Sequence, residues 1–124
     1  MKSYTDLEQS KKLVEILPIE NANMHYAKVI HGFDLLKDWK IEAQLGSPSN
    51  KAHIPCWSLA ALLSIIKDKC SYFELVYLKS TIDGRANRLE NVHRLSTDIY
   101  DIYEKEAIDA AFKMIIKLHE LNLL

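Results

Sequence analysis

Glycine and proline are scarce, three of each in 124 residues. That is too few for a linker-like or low-complexity chain. None of the glycines builds a phosphate loop or a dinucleotide fingerprint, and no Ser-centred elbow is present. Two cysteines, Cys56 and Cys70, allow one pairing and exclude a disulfide framework. Charge of one sign is lacking too: 16 basic residues against 17 acidic leave a formal net charge of -1. No global field therefore draws nucleic acid or an anionic membrane. No apolar run reaches the roughly 20 residues of a bilayer span, and the opening MKSYTDLEQ has no apolar signal region. The expectation is a cytoplasmic protein with both thiols reduced.

What remains is ordinary for a soluble globular chain, 48% apolar and 27% charged, and residues 1–124 fit a single domain. The longest nearly unbroken apolar run, Ile54 to Ile66, reads as a central helix. Pro55 suits a first helical turn, and Leu59, Leu62, Leu63 and Ile66 form a stripe at helical spacing. Ala60, Ala61 and Ser64 on the other side are small enough for a close neighbour. Trp57 is expected to anchor the start, and an almost wholly apolar helix is expected to be buried.

Upstream, Thr5 and Glu8 form a capping-box pattern ahead of an amphipathic helix from about Asp6 to Leu17, stopped by Pro18. Met24 to Ile30 alternates as a strand, and a second short strand is expected around Trp39 to Ala43. Gly46 to Asn50 is loop by composition. Downstream, the aromatic and branched SYFELVYLKSTI predicts a strand, and Asp83-Gly84 a hairpin turn. Ala86, Leu89, Val92 and Leu95 have helical spacing, yet the turn favours a returning strand between Asn87 and Tyr100. A final helix carries a narrow polar stripe of Glu106, Asp109, Lys113, Lys117 and Glu120, with Asp109 four residues before Lys113 for an ion pair. The predicted fold is α+β, with three helices on a small antiparallel sheet in the order helix, hairpin, helix, hairpin, helix. The alternative is an all-helical bundle, should Ala86 to Leu95 be helix.

Three stretches, YTDLEQSKKLVEILPIENANM, IPCWSLAALL and AIDAAFKMIIKLHELNLL, together resemble a family of small uncharacterised proteins of Bacteroidetes gut bacteria, often encoded in prophages or other mobile elements. Similar chains carry acidic or hydroxyl residues at the positions of Asn21 and Asn23, and often Ala at that of Cys56. They have an Asn-Pro cap where this chain has Lys105-Glu106-Ala107. The resemblance favours the strand before the final helix. It implies no catalytic residue.

Four groups of side chains could carry chemistry, and each has a plainer reading. Cys56 in a first helical turn would feel the dipole that lowers a thiol pKa, or it is a small buried hydrophobe. His53 and Cys56 form half of a zinc site that Cys70, His31 or His93 would have to complete, but the second short-spaced pair is lacking. Asp98, Asp101 and Glu104, interleaved with Tyr100 and Tyr103, could serve a metal-dependent or hydrolase-like enzyme, or simply meet a helix N-terminus. Lys79, Arg85, Arg88 and Arg94 beside His93 could form a basic patch for weak nucleic-acid binding, or guard a strand edge. His119 reads as a partner for free carbonyls in the last helical turn. No cofactor and no metal is expected.

No set of nucleophile, base and orienting group survives these alternatives. The chain therefore reads as an accessory or regulatory protein-binding module, with a protein partner or a homodimer, and without a membrane. The expected surface is Phe33, Leu35, Leu36, Trp39, Ile41 and Leu45, whose period is too poor to bury them all against one core. The other reading of this segment is a lid folded over the core.

Overall fold

The computed structural model describes residues 2–31, 38–49, 52–79 and 91–124, with 29–31 and 38–40 described by backbone alone. The order is α1 (Leu7–Val14), β1 (Met24–His31), β2 (Asp38–Leu45), β3 (Ile54–Cys56), α2 (Leu59–Lys69), β4 (Phe73–Leu78), β5 (Val92–Thr97), β6 (Asp101–Glu104) and α3 (Ala107–Glu120). This is the α+β order expected, with a strand added to each hairpin. The strands divide into two antiparallel three-stranded sheets, β2-β1-β3 and β4-β5-β6. The Asp83-Gly84 turn and Ala86 to Glu90 lie outside the described residues; Val92 to Thr97 is strand.

The run expected to be one helix is divided. Ile54–Cys56 is a strand, because Met24 and Tyr26 of β1 pair with Cys56 and Ile54. Pro55 lies opposite His25 on an edge strand, where proline is tolerated. The helix proper starts at Leu59, since the Ser58 hydroxyl accepts the N–H of Ala61 at 3.2 Å and caps it. Leu62, Ile65 and Ile66 form its buried side, with Leu59 and Leu63 packed at the margin. Ala60 and Ser64 are exposed.

The first helix is capped one residue later than expected. Asp6 accepts from the N–H of Gln9 at 2.7 Å, and Gln9 reaches back to the N–H of Asp6 at 3.1 Å. Thr5 is spent elsewhere, buried against Ser10 and Trp57. Helix α1 also ends at Val14 rather than Leu17.

The third strand of the second sheet, β6, has no Gly or Pro turn to announce it. Instead the Thr97 hydroxyl accepts from the N–H groups of Ile99 and Tyr100 at 3.1 and 3.0 Å, and the Thr97 N–H donates to the Tyr100 carbonyl at 3.0 Å. A side chain thus organises the β5–β6 hairpin.

One face of this sheet, through Leu95 and Ile102, joins α2, α3 and Trp57 in the main core. Helix α3 contributes Ile108, Ala110, Ala111, Met114, Ile115 and Leu118, all fully buried. It ends in a left-handed Asn122 (φ 60). There the N–H groups of Leu123 and Asn122 donate to the carbonyls of Leu118 and His119 at 2.9 and 3.0 Å. Those main-chain donors do the work expected of the His119 side chain. Among the described residues no helix is long and apolar enough to cross a membrane.

Polar contacts pin the amino-terminal segment to α3. Lys2 Nζ and Gln9 Nε2 each donate to Asp109 Oδ1 at 2.8 Å. The expected Asp109–Lys113 pair is not formed, and Lys113 pairs with Glu104 instead. Partial burial pushes the Asp109 carboxyl up, but the Lys2 and Gln9 donors outweigh it and hold the group below its ordinary 3.8. A depressed carboxylate contributes stability above the unfolded pKa and loses it as pH falls through the folded one. Asp109→Asn should therefore cost about 1 kcal/mol at neutral pH, with the deficit vanishing below the ordinary carboxylate range. Chemical denaturation of both proteins across that acid window measures it. Trp57→Ala should cost about 3–5 kcal/mol in the same assay, because Trp57 is wholly buried.

Candidate interaction surface

Strands β1 and β2 form an unbroken eight-pair ladder from Met24↔Leu45 to His31↔Asp38. Strand β3 covers only Met24 to Tyr26 of it. Side chains alternate across the sheet, so Met24, Tyr26, Ala43, Ile54 and Cys56 share one face with Ile41 and Leu45. The proximal part of that face is covered: Leu7 of α1 packs on a cluster of Met24, Tyr26 and Cys56. The outer part is bare, with Leu45 86% and Ile41 49% exposed. Fully burying a leucine or isoleucine side chain contributes roughly 1.5–3 kcal/mol. Leu45 collects almost none of it within the chain, and Ile41 about half.

A buried polar knot holds the covered part rigid. The Tyr26 hydroxyl donates to the Thr5 carbonyl at 2.7 Å, and the Cys56 thiol approaches the same oxygen at 3.5 Å. Thr5 Oγ1 accepts the Trp57 N–H at 3.2 Å and lies 2.8 Å from the Ser10 hydroxyl. Burial pushes the Cys56 thiol above its ordinary value despite the hydrogen bonds from Thr5, Ser10 and Tyr26. Burial likewise pushes the Tyr26 phenol above its usual range. Cys56 is thus a neutral packing group in a strand, not a thiolate at a helix N-terminus.

At the base of the ladder, on the opposite face, the His25 and His53 rings stack with centroids 4.1 Å apart. The His25 ring bonds the Gly46 carbonyl through Nδ1 at 2.8 Å, and His53 Nδ1 accepts the Ser49 N–H at 3.2 Å. This pair closes the loop after β2, where Gly46 takes φ +101, a conformation that favours glycine. Sequence spacing alone could not bring residues 25 and 53 together.

The other candidate groups do not assemble. His53 and Cys56 stand in different surroundings, and Cys70 is half-buried against the main core. The His93 ring lies against Tyr77, 2.9 Å from the Lys105 carbonyl through Nδ1. No three His, Cys, Asp or Glu side chains among the described residues could share a metal. Of the acids, Asp98 accepts the Ser71 N–H at 3.1 Å, Asp101 accepts the Ser96 hydroxyl at 2.6 Å, and Glu104 pairs with Lys113. Asp101 and Glu104 belong to β6 and do not cap a helix.

Asp101 and Glu104 do border an open groove of about 480 Å³ beside α3, lined also by Tyr100, Tyr103, Lys12 and Lys117. The ammonium of Lys117 stands 4.7 Å over the Tyr100 ring. Among the described residues no histidine lines the groove, and both carboxylates are already partnered. A second cleft of about 530 Å³ lies where Leu17 and Pro18 face Ala61, Ser64 and Leu124. The small side of α2 therefore borders open space rather than a close neighbour.

Of the basic patch, Arg85 and Arg88 lie outside the described residues. Lys79 is exposed, and Arg94 pairs with Glu74 at 3.5 Å. Of the expected partner surface, Phe33, Leu35 and Leu36 also lie outside them, and Trp39 is placed on β2 opposite Ile30 by backbone alone. Ile41 and Leu45 are brought together on one exposed face.

No family model, curated protein or solved structure matches the chain. Function must be argued from these side chains. Cys56 should resist alkylation at neutral pH in the folded protein and react once denatured, which peptide mass spectrometry of iodoacetamide-treated samples reads directly. Modification of native Cys56 at the rate of a free thiol would contradict the buried knot.

Proposed function

We propose that the protein is a small accessory or regulatory binding module that docks a protein partner on β2, not an enzyme. The observation that carries the reading is the exposure of Leu45 and Ile41, 86% and 49%, on one face of an edge strand. Apolar side chains in a row beside an open strand edge suit recognition by strand addition, where main-chain bonds give affinity and side chains give specificity. The engaged carboxylates of β6 weigh against the hydrolase-like alternative, since Asp101 and Glu104 already have partners. The pairing of Arg94 with Glu74 weighs against nucleic-acid contact. The resemblance to Bacteroidetes mobile-element proteins supports an accessory role in the cytoplasm of such a cell.

The test is affinity capture from the source cells with wild type and Leu45→Asp side by side, quantified by mass spectrometry. Leu45 touches little of its own chain, so the variant should melt with the wild type while losing a specific partner at least tenfold. Equal recovery of every captured protein by the two baits would end this reading.

A further inference from the structure

We propose that two copies of this chain join through β2, edge to edge, as one antiparallel ladder with Ala43 on the two-fold axis. The inference rests on the binding role argued above and names the partner.

The direction of the β2 backbone carries the argument. The Gly46 N–H donates to the Asn23 carbonyl at 3.1 Å, so residues 23 and 46 continue the β1–β2 register as a hydrogen-bonded pair. In an antiparallel ladder such pairs alternate with pairs that exchange no bonds. Gln44 and Glu42 therefore spend their main-chain groups on His25 and Ala27 of β1. The N–H and C=O groups of Ile41, Ala43 and Leu45 point the other way, toward the edge that no described strand pairs. The same alternation turns Met24 and Tyr26 toward β3 and leaves Pro55, opposite His25, where the ladder needs no donor. Both sides of β1 thus agree on the phase.

Two of these three residues, Ile41 and Leu45, are the ones whose apolar side chains are exposed, and Ala43 between them is half-buried. Of the usual edge protections β2 lacks proline and a bulge, and its charges, Asp38, Lys40 and Glu42, stand at the positions that alternate with Ile41, Ala43 and Leu45.

Symmetry selects the register. A two-fold axis normal to the sheet sets β2 antiparallel to its copy with like faces together, so paired residue numbers have an even sum. An axis at Glu42 sets Ile41 opposite the partner's Ala43 and keeps Ile41 and Leu45 apart. An axis at Ile41 carries Leu45 past Asp38, the first residue of the strand. An axis at Ala43 sets Ile41 opposite the partner's Leu45, Leu45 opposite the partner's Ile41, and Glu42 opposite the partner's neutral Gln44. Ile41, Ala43 and Leu45 then each complete a pair that exchanges two main-chain bonds. Only this register covers both exposed apolar side chains with each other.

Light scattering on the full chain after size exclusion tests this. Wild type should run at twice 14.3 kDa at high concentration. Ile41→Lys/Leu45→Lys places lysine opposite lysine on both sides of the axis and should return the mass to that of one chain. Ile41→Lys/Leu45→Glu places opposite charges together in this register and should restore the dimer, in a salt-sensitive form. With the axis at Ile41 the same variant would set lysine against lysine at the centre and stay monomeric. Thermal melts of both variants control for folding.

A wild type that keeps the mass of one chain up to millimolar concentration overturns the proposal. A dimer that survives the two lysines, or a lysine–glutamate variant that stays monomeric, does so too. A monomeric wild type that still loses a captured protein on Leu45→Asp overturns the homodimer alone and leaves the binding role standing, with a foreign strand as occupant.

Discussion

Thr5 is the residue on which the arrangement of the first sheet depends. Its N–H donates to the Trp57 carbonyl at 2.9 Å, and its hydroxyl accepts the Trp57 N–H. Its carbonyl serves both the Tyr26 hydroxyl and the Cys56 thiol. One fully buried residue thereby ties the amino-terminal segment to β1, to β3 and, through Ser10, to α1. Each buried polar group left without its partner costs about 1–3 kcal/mol, so the knot is stable only when all its members are in place. That interdependence fixes the short β3 beside β1 although only three residues pair.

The same constraint explains why part of the fold was hidden from the sequence. Helix α3 was legible because its narrow polar stripe and broad apolar side are local properties of one segment. Strands β1 and β2 were legible from alternation in the first and the apolar supply around Trp39 in the second. Strand β3 was not, because the apolar run from Ile54 reads as helix or strand until Met24 and Tyr26 are known to lie beside it. The cap moved from Thr5 to Asp6 for a related reason, since the threonine that fits the pattern was claimed by the interior. Strand β6 escaped because its turn is held by the Thr97 hydroxyl instead of by glycine or proline.

The candidate surface was legible in part. Too many apolar residues between Phe33 and Leu45 for one core to absorb pointed to exposure, and of these Ile41 and Leu45 are exposed. Ala43 carried no signal, being small and half-buried. Its importance lies in the direction of its main chain, which composition cannot reveal. The ionic partners were misjudged where spacing along one helix competed with contacts across the fold. Asp109 faces Lys2 and Gln9, brought in from the other end of the chain, more closely than the lysine one turn away.

Pro55 has a consequence for how far such a molecule can grow. Its ring nitrogen lies on the outer side of β3, and the next residues of that side are taken up by Tyr4, which bridges to Ser58. Among the described residues the first sheet therefore has one edge, β2, that no strand pairs and one that is sealed. A sheet with two receptive edges can add copies without end and become a filament. If copies join through β2 as proposed, the stopped edge would end addition after a single step, and the product would be a closed pair rather than a fibre. A three-residue strand with a proline at its centre would then act as a chain terminator for polymerisation.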